Sequence, residues 1–192
     1  MSDVSLITHH SSLSEGENTL RNVDLEEQEE ELETRVIDIN RVYRVRKGGR
    51  VLSFNALSAV GDGTGTIGVG FGKANEIPAA IGKSEQAAKK NMFKVPVVDG
   101  TIPHEIVGHA CSTRVLLKPA SPGTGIIAGS SVKVILEVAG VRDILSKCFG
   151  ARNKINVAWA VVDALKQLKS AEDVAKLRGK TVEEILNWSK EK

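Results

Sequence analysis

Residues 61–74 read GDGTGTIGVGFGKA, and six of these fourteen residues are glycine. In the second half of the stretch, glycine alternates with Ile67, Val69 and Phe71. Successive side chains of a strand point to opposite faces, so this pattern predicts a strand with one apolar face and one bare face. A bare face lets another backbone come very close, whereas the glycines at 61, 63 and 65 are typical of a tight turn.

A nucleotide-binding loop is the alternative interpretation of these glycines. A phosphate loop needs G-x-x-x-x-G-K-[ST], and Gly82-Lys83-Ser84 supplies its end. Ile77 stands where the first glycine belongs, and the segment reads as a helix. A dinucleotide fingerprint needs G-x-G-x-x-G between strand and helix, but here glycine recurs at every second residue of a strand. The spacing therefore argues against both motifs.

The flanking residues predict an α-β-β-β-α unit over residues 24–94. Beyond the glycine strand, strands are predicted at 36–46 and 51–60 and helices at 24–35 and 76–92. A slip of the alternation at 40–42 predicts either a bulge in the first strand or a strand that leaves its sheet there. The apolar stripe expected for the second helix consists of Ile77, Ala80, Ile81, Ala87, Ala88 and Met92.

A second unit is predicted over residues 95–169, with a short helical tail at 170–192. Its expected strands are 95–100, 104–113, 114–120 and 142–149. Its helices are expected near 130–139, where Ser130 and Ser131 would cap, and over 153–168, with an apolar stripe at 155, 158, 159, 162, 165 and 168. In the tail, Thr181 and Glu184 predict a capping box. Residues 1–23 are polar and are expected to be a disordered acidic extension.

Composition and charge bear on whether the protein enters a membrane, whether it is secreted and what kind of partner it binds. No apolar run approaches the roughly 20 residues that cross a bilayer, and no secretory signal is visible. The two cysteines, Cys111 and Cys148, are expected to be reduced thiols packed in a cytoplasmic core. Residues 1–34 carry ten acidic residues and one basic residue, whereas residues 35–192 carry a net charge of +11. A basic body beside an acidic arm indicates a polyanionic partner.

The cations are densest around Gly48 and Gly49. The cluster comprises Arg41, Arg44, Arg46, Lys47 and Arg50. Arginine offers forked donors and lysine a point charge, so a polyphosphate backbone is the expected partner, and a solvated charged turn is the alternative. Tyr43 lies within the cluster and either stacks on an unpaired base or packs in the strand.

Motifs for catalysis or metal binding are weak. HEIVGH at 104–109 has one residue too many for a zinc-protease helix, and a strand places residues five apart on opposite faces. Two cysteines without a CxxC pair do not predict a zinc cluster. Residues 121–131 loosely resemble the phosphate loop of the galactokinase and mevalonate kinase group, but no catalytic acid accompanies them. No cofactor, metal or catalytic residue is predicted.

Four blocks of sequence together resemble bacterial-type small-subunit ribosomal protein number five. They are NRVYRVRKGGRVLSFNALSAVGDGTGTIGVGFGKA, IPAAIGKSEQAAKKNM, KPASPGTGIIAGSSV and EVAGVRDILSKCFGARNKINV. The resemblance covers about residues 33–188 and leaves out residues 1–32. It implies an α+β fold, with a double-stranded-RNA-binding-like domain followed by an α/β domain of the fold shared with the kinase group.

The resemblance also implies a function and partners. It implies a cytoplasmic, non-enzymatic constituent of the small ribosomal subunit that binds its ribosomal RNA and influences decoding accuracy. The implied neighbours are ribosomal proteins number three, four and eight and the messenger RNA at its entry site. The alternatives are a small-molecule kinase and an RNA-binding regulator outside the ribosome.

Individual residues carry over from the family to a limited extent. The family's first hairpin maps onto Val42 through Arg50, with Tyr43 where a small residue is frequent, and Arg41 would face the messenger path. The predicted RNA-binding residues are Arg41, Tyr43, Arg44, Arg46, Lys47, Gly48, Gly49, Arg50, Lys73, Lys89 and Lys90. The residues predicted to face protein number four are Gly123, Gly125 and Lys133. The glycine face of 66–72 would meet a helix or RNA backbone.

Overall fold

The computed structural model describes residues 32–185, which form two antiparallel-rich sheets and the helices that cover them. The strands are β1 (Glu33–Arg46), β2 (Gly49–Gly61), β3 (Thr66–Ala74), β4 (Phe93–Lys94), β5 (Ile106–Ala110), β6 (Thr113–Pro119), β7 (Ile126–Ile127) and β8 (Ile144–Gly150). The helices are α1 (Ile77–Lys90), α2 (Ser130–Val138), α3 (Lys154–Gln167) and α4 (Ala171–Arg178). This arrangement confirms the predicted α+β class.

The first sheet has the order β1-β2-β3-β4, and every pair in it is antiparallel. β2 has a β3 partner only from Phe54 onward, so the distal part of the β1–β2 hairpin is a two-stranded ribbon. The register of β1 against β2 shifts between Val36 and Asp38. The bulge is therefore not at 40–42, where the pairing is regular. The alternative is confirmed, because β1 leaves the main sheet at Arg41, which pairs with Phe54.

The glycine face of β3 meets a helix. A Cβ at Gly68, Gly70 or Gly72 would overlap main-chain atoms of α1, which crosses this face. The opposite face carries Ile67 and Val69, both fully buried. The predicted division of this strand into an apolar and a bare face is confirmed, and α1 is the backbone that uses the bare face.

The buried face of α1 differs from the predicted stripe. It consists of Ala80, Ser84 and Ala88, which are spaced four residues apart and lie against the glycines. Ile77 was expected in this face but is 40% exposed. Ser84 is buried because its hydroxyl bonds to Ser58 Oγ on β2 and donates to the Ile81 carbonyl. Small residues fit here because a larger one would hold the helix away from β3.

The second sheet has the order β5-β6-β8-β7, with β7 parallel to β8. The strand predicted at 95–100 was wrong, because Pro96 lacks an N–H for a ladder and only the bridge of Val98 with Thr101 forms there. The two-residue strand β7 was not predicted. α2 has Gly129 as its N-cap, without a side-chain cap, so Ser130 and Ser131 lie inside the helix and do not cap it.

One hydrophobic core runs through both sheets, and the described residues from Glu33 onward form a single compact unit. This core joins Leu57 and Ile67 of the first sheet to Ile135 of α2 and Ile144 of β8. The core thus crosses the domain boundary expected near residue 94, and that boundary stays a prediction.

Two ion pairs tie β1 to the helices of the second half. The Arg35 guanidinium lies 2.8 Å from a carboxylate oxygen of Glu137 on α2. The Lys154 ammonium of α3 lies 2.6 Å from a carboxylate oxygen of Asp38 and lowers the pKa of that carboxyl through this hydrogen bond. The base of the hairpin is therefore anchored on α2 and α3.

Several predictions for single residues need correction. Residues 33–35 belong to β1, so the helix predicted to 35 is wrong there, and its earlier part, like the extension 1–23, lies outside the described residues. Cys111 is exposed in a turn with a φ of 53°, so only Cys148, which is half-buried, packs against the core. Trp159 was expected in the apolar stripe of α3 but is 37% exposed.

The tail begins with α4, whose first residues form a capping box between Ser170 and Asp173. The following helical turn starts after Thr181, whose Oγ1 accepts from the Glu184 N–H at 3.4 Å, which is one half of the predicted capping box. The longest helices that the structure describes have 14 residues, and none of those described is long and apolar enough to span a bilayer.

Candidate nucleic-acid interface

The β1–β2 hairpin presents its cations around a two-residue turn. Arg46 pairs with Gly49, which leaves Lys47 and Gly48 as the loop. Gly48 and Gly49 have φ angles of 99° and 137°, which disfavour residues with a side chain. Every residue from Tyr43 to Val51 is exposed, so the turn is open to a large partner.

Strand alternation divides the predicted hairpin cations between two faces. Arg41, Tyr43 and Arg50 share one face, because Arg50 lies opposite Val45 in the register. Arg44 and Arg46 lie on the other face. The cluster that is continuous in sequence is therefore two basic surfaces in space, with Lys47 at the tip between them.

Tyr43 lies beside Arg41. The Arg41 guanidinium is 5.1 Å from the centroid of the Tyr43 ring, within cation–π range. The tyrosine is 49% exposed, so packing in the strand does not account for it. The guanidinium covers one side of the ring and leaves the pair accessible from solvent.

A polar cavity of about 250 Å³ lies where β3 ends and the chain turns toward α1. We call it the basic cradle, and its lining residues are Val42, Arg44, Ser53, Lys73, Ala74, Asn75 and Lys83. Its three cations come from β1, β3 and α1, and no acidic residue lines it. None of the three forms an ion pair with a described residue. The structure therefore joins Arg44 and Lys73, as predicted sites, to Lys83, which was not among the predicted sites.

Asn75 and Ser53 add neutral hydrogen-bonding groups to the cradle. Ser53 Oγ donates to Asn75 Oδ1 at 3.4 Å, which leaves the amide nitrogen of Asn75 available as a donor. Three cations with hydroxyl and amide donors form a group suited to phosphate oxygens. The signal for Lys83 in the sequence was its place off the apolar stripe of α1, but Asn75 and Ser53 gave none.

The remaining predicted site residues lie elsewhere. Lys89 and Lys90 occupy the last turn of α1, about 10 Å along the helix from Lys83 at 1.5 Å per residue. Gly123 and Gly125 flank the loop before β7, and the Gly125 N–H donates to Asp143 Oδ1 at 2.8 Å. Lys133 is exposed on α2 and pairs with Glu137 at 3.7 Å.

The segment HEIVGH does not assemble a metal site. His104 Nε2 accepts from the Lys169 N–H at 3.3 Å, and His109 is exposed on β5. In the described part of the chain, no group of three or more His, Cys, Asp or Glu residues could hold a metal ion.

Comparison with known families gives two matches that together cover most of the described residues. Residues 32–96 match ribosomal protein S5, N-terminal domain, and residues 108–178 match ribosomal protein S5, C-terminal domain. The chain belongs to the ribosomal protein S5 family. The predicted resemblance is thereby confirmed at the level of the S5 family, and with it a role as a protein of the small ribosomal subunit.

Family membership also favours one of the competing interpretations. Ribosomal protein S5 is a structural component of the translation machinery, which favours a structural role for residues 121–131 over the small-molecule kinase alternative. The matched regions leave residues 97–107 between them, where the predicted strand at 95–100 was wrong. The glycine strand, the hairpin and the basic cradle all lie within the first matched region.

Proposed function

We propose that this protein binds small-subunit ribosomal RNA through the hairpin tip and the basic cradle. The observation that carries the proposal is the meeting of Arg44, Lys73 and Lys83 from three elements in a cavity whose lining contains no acidic residue. Three like charges held together repel one another in the free protein, and a phosphate oxygen relieves that repulsion. The interaction positions the protein on the RNA backbone without reading its sequence.

The two faces of the hairpin have separate tasks in this proposal. Arg44 and the cradle hold phosphates, whereas the exposed pair of Arg41 and Tyr43 meets an unpaired base or the messenger path. Lys89 and Lys90 extend the contact along α1. Binding in this region contributes to the messenger entry site and to decoding accuracy, as expected of a bacterial-type member of the family.

Contacts with ribosomal proteins are assigned to the other half of the chain. Gly123 and Lys133 are exposed near the start of α2, where they face protein number four. The Lys133 pair with Glu137 is a surface pair and is worth less than about 1 kcal/mol, so a partner carboxylate can replace it. Proteins number three and eight are the other proposed neighbours.

The salt dependence of RNA binding tests the cradle. The double variant Arg44→Gln with Lys73→Gln removes two phosphate contacts, and Lys176→Gln on α4 is an exposed control. We expect the slope of log affinity against log salt to become shallower by about 0.7–0.9 per lost contact. Affinity for a small-subunit RNA fragment should fall by about tenfold per contact at 0.1 M salt.

The control separates a defined site from general attraction. Lys176→Gln should leave both slope and affinity close to those of the unchanged protein. If the double variant keeps the full slope, or if Lys176→Gln reduces it equally, the cradle does not hold phosphates. Thermal melting of each variant checks that the fold is intact.

A further inference from the structure

A second cavity, far along the chain from the basic cradle, lies over β8 at the first turns of α2 and α3. Its volume is about 390 Å³. It is lined by Gly129, Ser130, Ser131, Val132, Ser146, Lys147, Cys148, Arg152, Lys154 and Val157. None of these residues was a predicted site, and the proposed RNA interface does not use them.

Two helices begin at this cavity. The N-cap of α2 is Gly129, no side chain caps its first turn, and neither helix has an acidic residue in its first turn. At α3, the Asn153 side chain accepts one N–H, that of Ile155, at 3.1 Å. The uncapped N–H groups and the positive end of the helix dipole therefore favour an anion at α2.

Ser131 gives an independent indication of a ligand. The residue is only 5% exposed, and it lines the cavity. Its hydroxyl has no hydrogen-bond partner among the described residues. The hydroxyl oxygen is not one of the fully buried unpaired atoms of the described residues, so it is open to the cavity, where a ligand oxygen can accept its hydrogen bond.

The charge around the cavity is positive. Lys147 and Arg152 form no ion pair with any described residue, whereas Lys154 pairs with Asp38 at 2.6 Å. Both cations affect the thiol of Cys148: burial raises the pKa of this thiol, and the charges of Arg152 and Lys147 act to lower it. No acidic residue belongs to the lining.

We propose that this cavity binds a phosphate group. The α2 N–H groups, the Ser130 and Ser131 hydroxyls and the Arg152 guanidinium supply donors for its oxygens, and Lys147 balances its charge. The phosphate belongs either to an RNA backbone or to a free nucleotide or phosphate ion. The site goes beyond the proposed function, because it lies on α2, α3 and β8 and shares no residue with the cradle.

The two thiols of the chain allow a direct test. Cys148 lines the cavity, whereas Cys111 is exposed in the β5–β6 turn and serves as the control. Alkylation of the full-length protein by iodoacetamide is followed by mass spectrometry, in potassium phosphate and in potassium chloride of equal ionic strength. A bound phosphate blocks access and neutralises the cations that favour the thiolate, so Cys148 should react about fivefold more slowly and Cys111 at an unchanged rate.

Substitutions then test whether the protection of Cys148 arises from phosphate bound in this cavity. Arg152→Gln should raise the phosphate concentration needed for half-protection by about tenfold, the effect of one charge-assisted hydrogen bond. Lys176→Gln, on α4, should leave it unchanged. Arg44→Gln in the basic cradle should also leave it unchanged, so loss of RNA binding at the hairpin does not imitate loss of this site.

The probe that protects identifies the source of the phosphate. Protection by inorganic phosphate or adenosine monophosphate at low concentration identifies a free ligand. Protection by a small-subunit RNA fragment, but not by inorganic phosphate or adenosine monophosphate, identifies the RNA backbone. Cys148 reacting at the same rate with every probe, or an unchanged half-protecting phosphate concentration in Arg152→Gln, overturns the proposal.

Discussion

Replacing Gly70 by alanine tests how closely α1 lies on β3. The new Cβ would overlap the Ser84 carbonyl oxygen and the Ala88 amide nitrogen, and it would lie 3.0 Å from the Ala87 carbonyl carbon. All three are main-chain atoms of a helix, so no rotation of a side chain relieves the overlap. The helix must therefore move away from the strand by about 1 Å, the order of a lost van der Waals contact.

The cost follows from that displacement. A gap of this size forfeits about a quarter to a half of each dispersion contact along the helix, and overpacking of a core costs about 1–3 kcal/mol. Alanine recovers about 0.5–1 kcal/mol of backbone entropy relative to glycine in a strand. We expect a net loss of about 2 kcal/mol in the free energy of unfolding and a fall in Tm of about 4–8 °C.

Gly82→Ala is the matched control. Gly82 lies in the same helix, but a Cβ there meets nothing within 4 Å. This change should raise the stability by about 1 kcal/mol, because alanine is the better helix former. Calorimetric melting of both variants measures the difference. Equal Tm values for the two variants would refute the claim that the glycines exist for close packing of α1.

Three further predictions concern polar contacts. Burial favours a higher pKa for Asp62, but hydrogen bonds from Thr64 and Thr66 outweigh it and bring the pKa to about 2. The stability that this carboxylate supplies is present above about pH 4 and is lost as the pH falls through about 2. Asp62→Asn should therefore cost about 1 kcal/mol at pH 7 in urea unfolding, after allowance for solvent screening, and much less at pH 2. Asp38→Asn should cost about 1 kcal/mol, and a double-mutant cycle with Lys154→Met should show that this loss is coupled to Lys154. Ser170→Ala removes the cap of α4 and should speed amide exchange there by about fivefold, with β6 as an unaffected reference.

The sequence predicted the first sheet well because two strong local patterns occur there. Alternation of glycine with Ile67 and Val69 sets the faces of β3, and KGG sets the hairpin turn. The short strand β7 could not be predicted, since two residues carry no periodicity and its pairing with β8 depends on how α2 packs. Residues 95–100 contain valines that are buried in the core although no neighbouring strand that the structure describes pairs with them. Their composition therefore resembles that of a strand.

The candidate site was predictable as a charge cluster but not as a geometry. The hairpin cations are adjacent in sequence, yet strand alternation assigns Arg41 and Arg44 to opposite faces. Lys83 reaches the cradle only because α1 lies flat on the glycines of β3, which brings it into one cavity with Arg44, 39 positions earlier in the sequence. No local pattern contains that information. The same holds for Arg152, which lies between β8 and α3, and Ser131, which lies on α2.

The two-stranded ribbon at the end of the hairpin has a consequence for recognition. Between the turn and Phe54, β2 has no β3 partner, and an isolated pair of strands is barely stable in water. Its base, by contrast, is fixed by Arg35 and Lys154. The hairpin is thus rigid at its base and flexible at its tip, and the tip can adjust its twist to the shape of the surface that it binds. Changing the twist of the tip costs part of the binding free energy. A surface that fits the tip without this change is therefore bound more tightly than an equally charged surface of different shape.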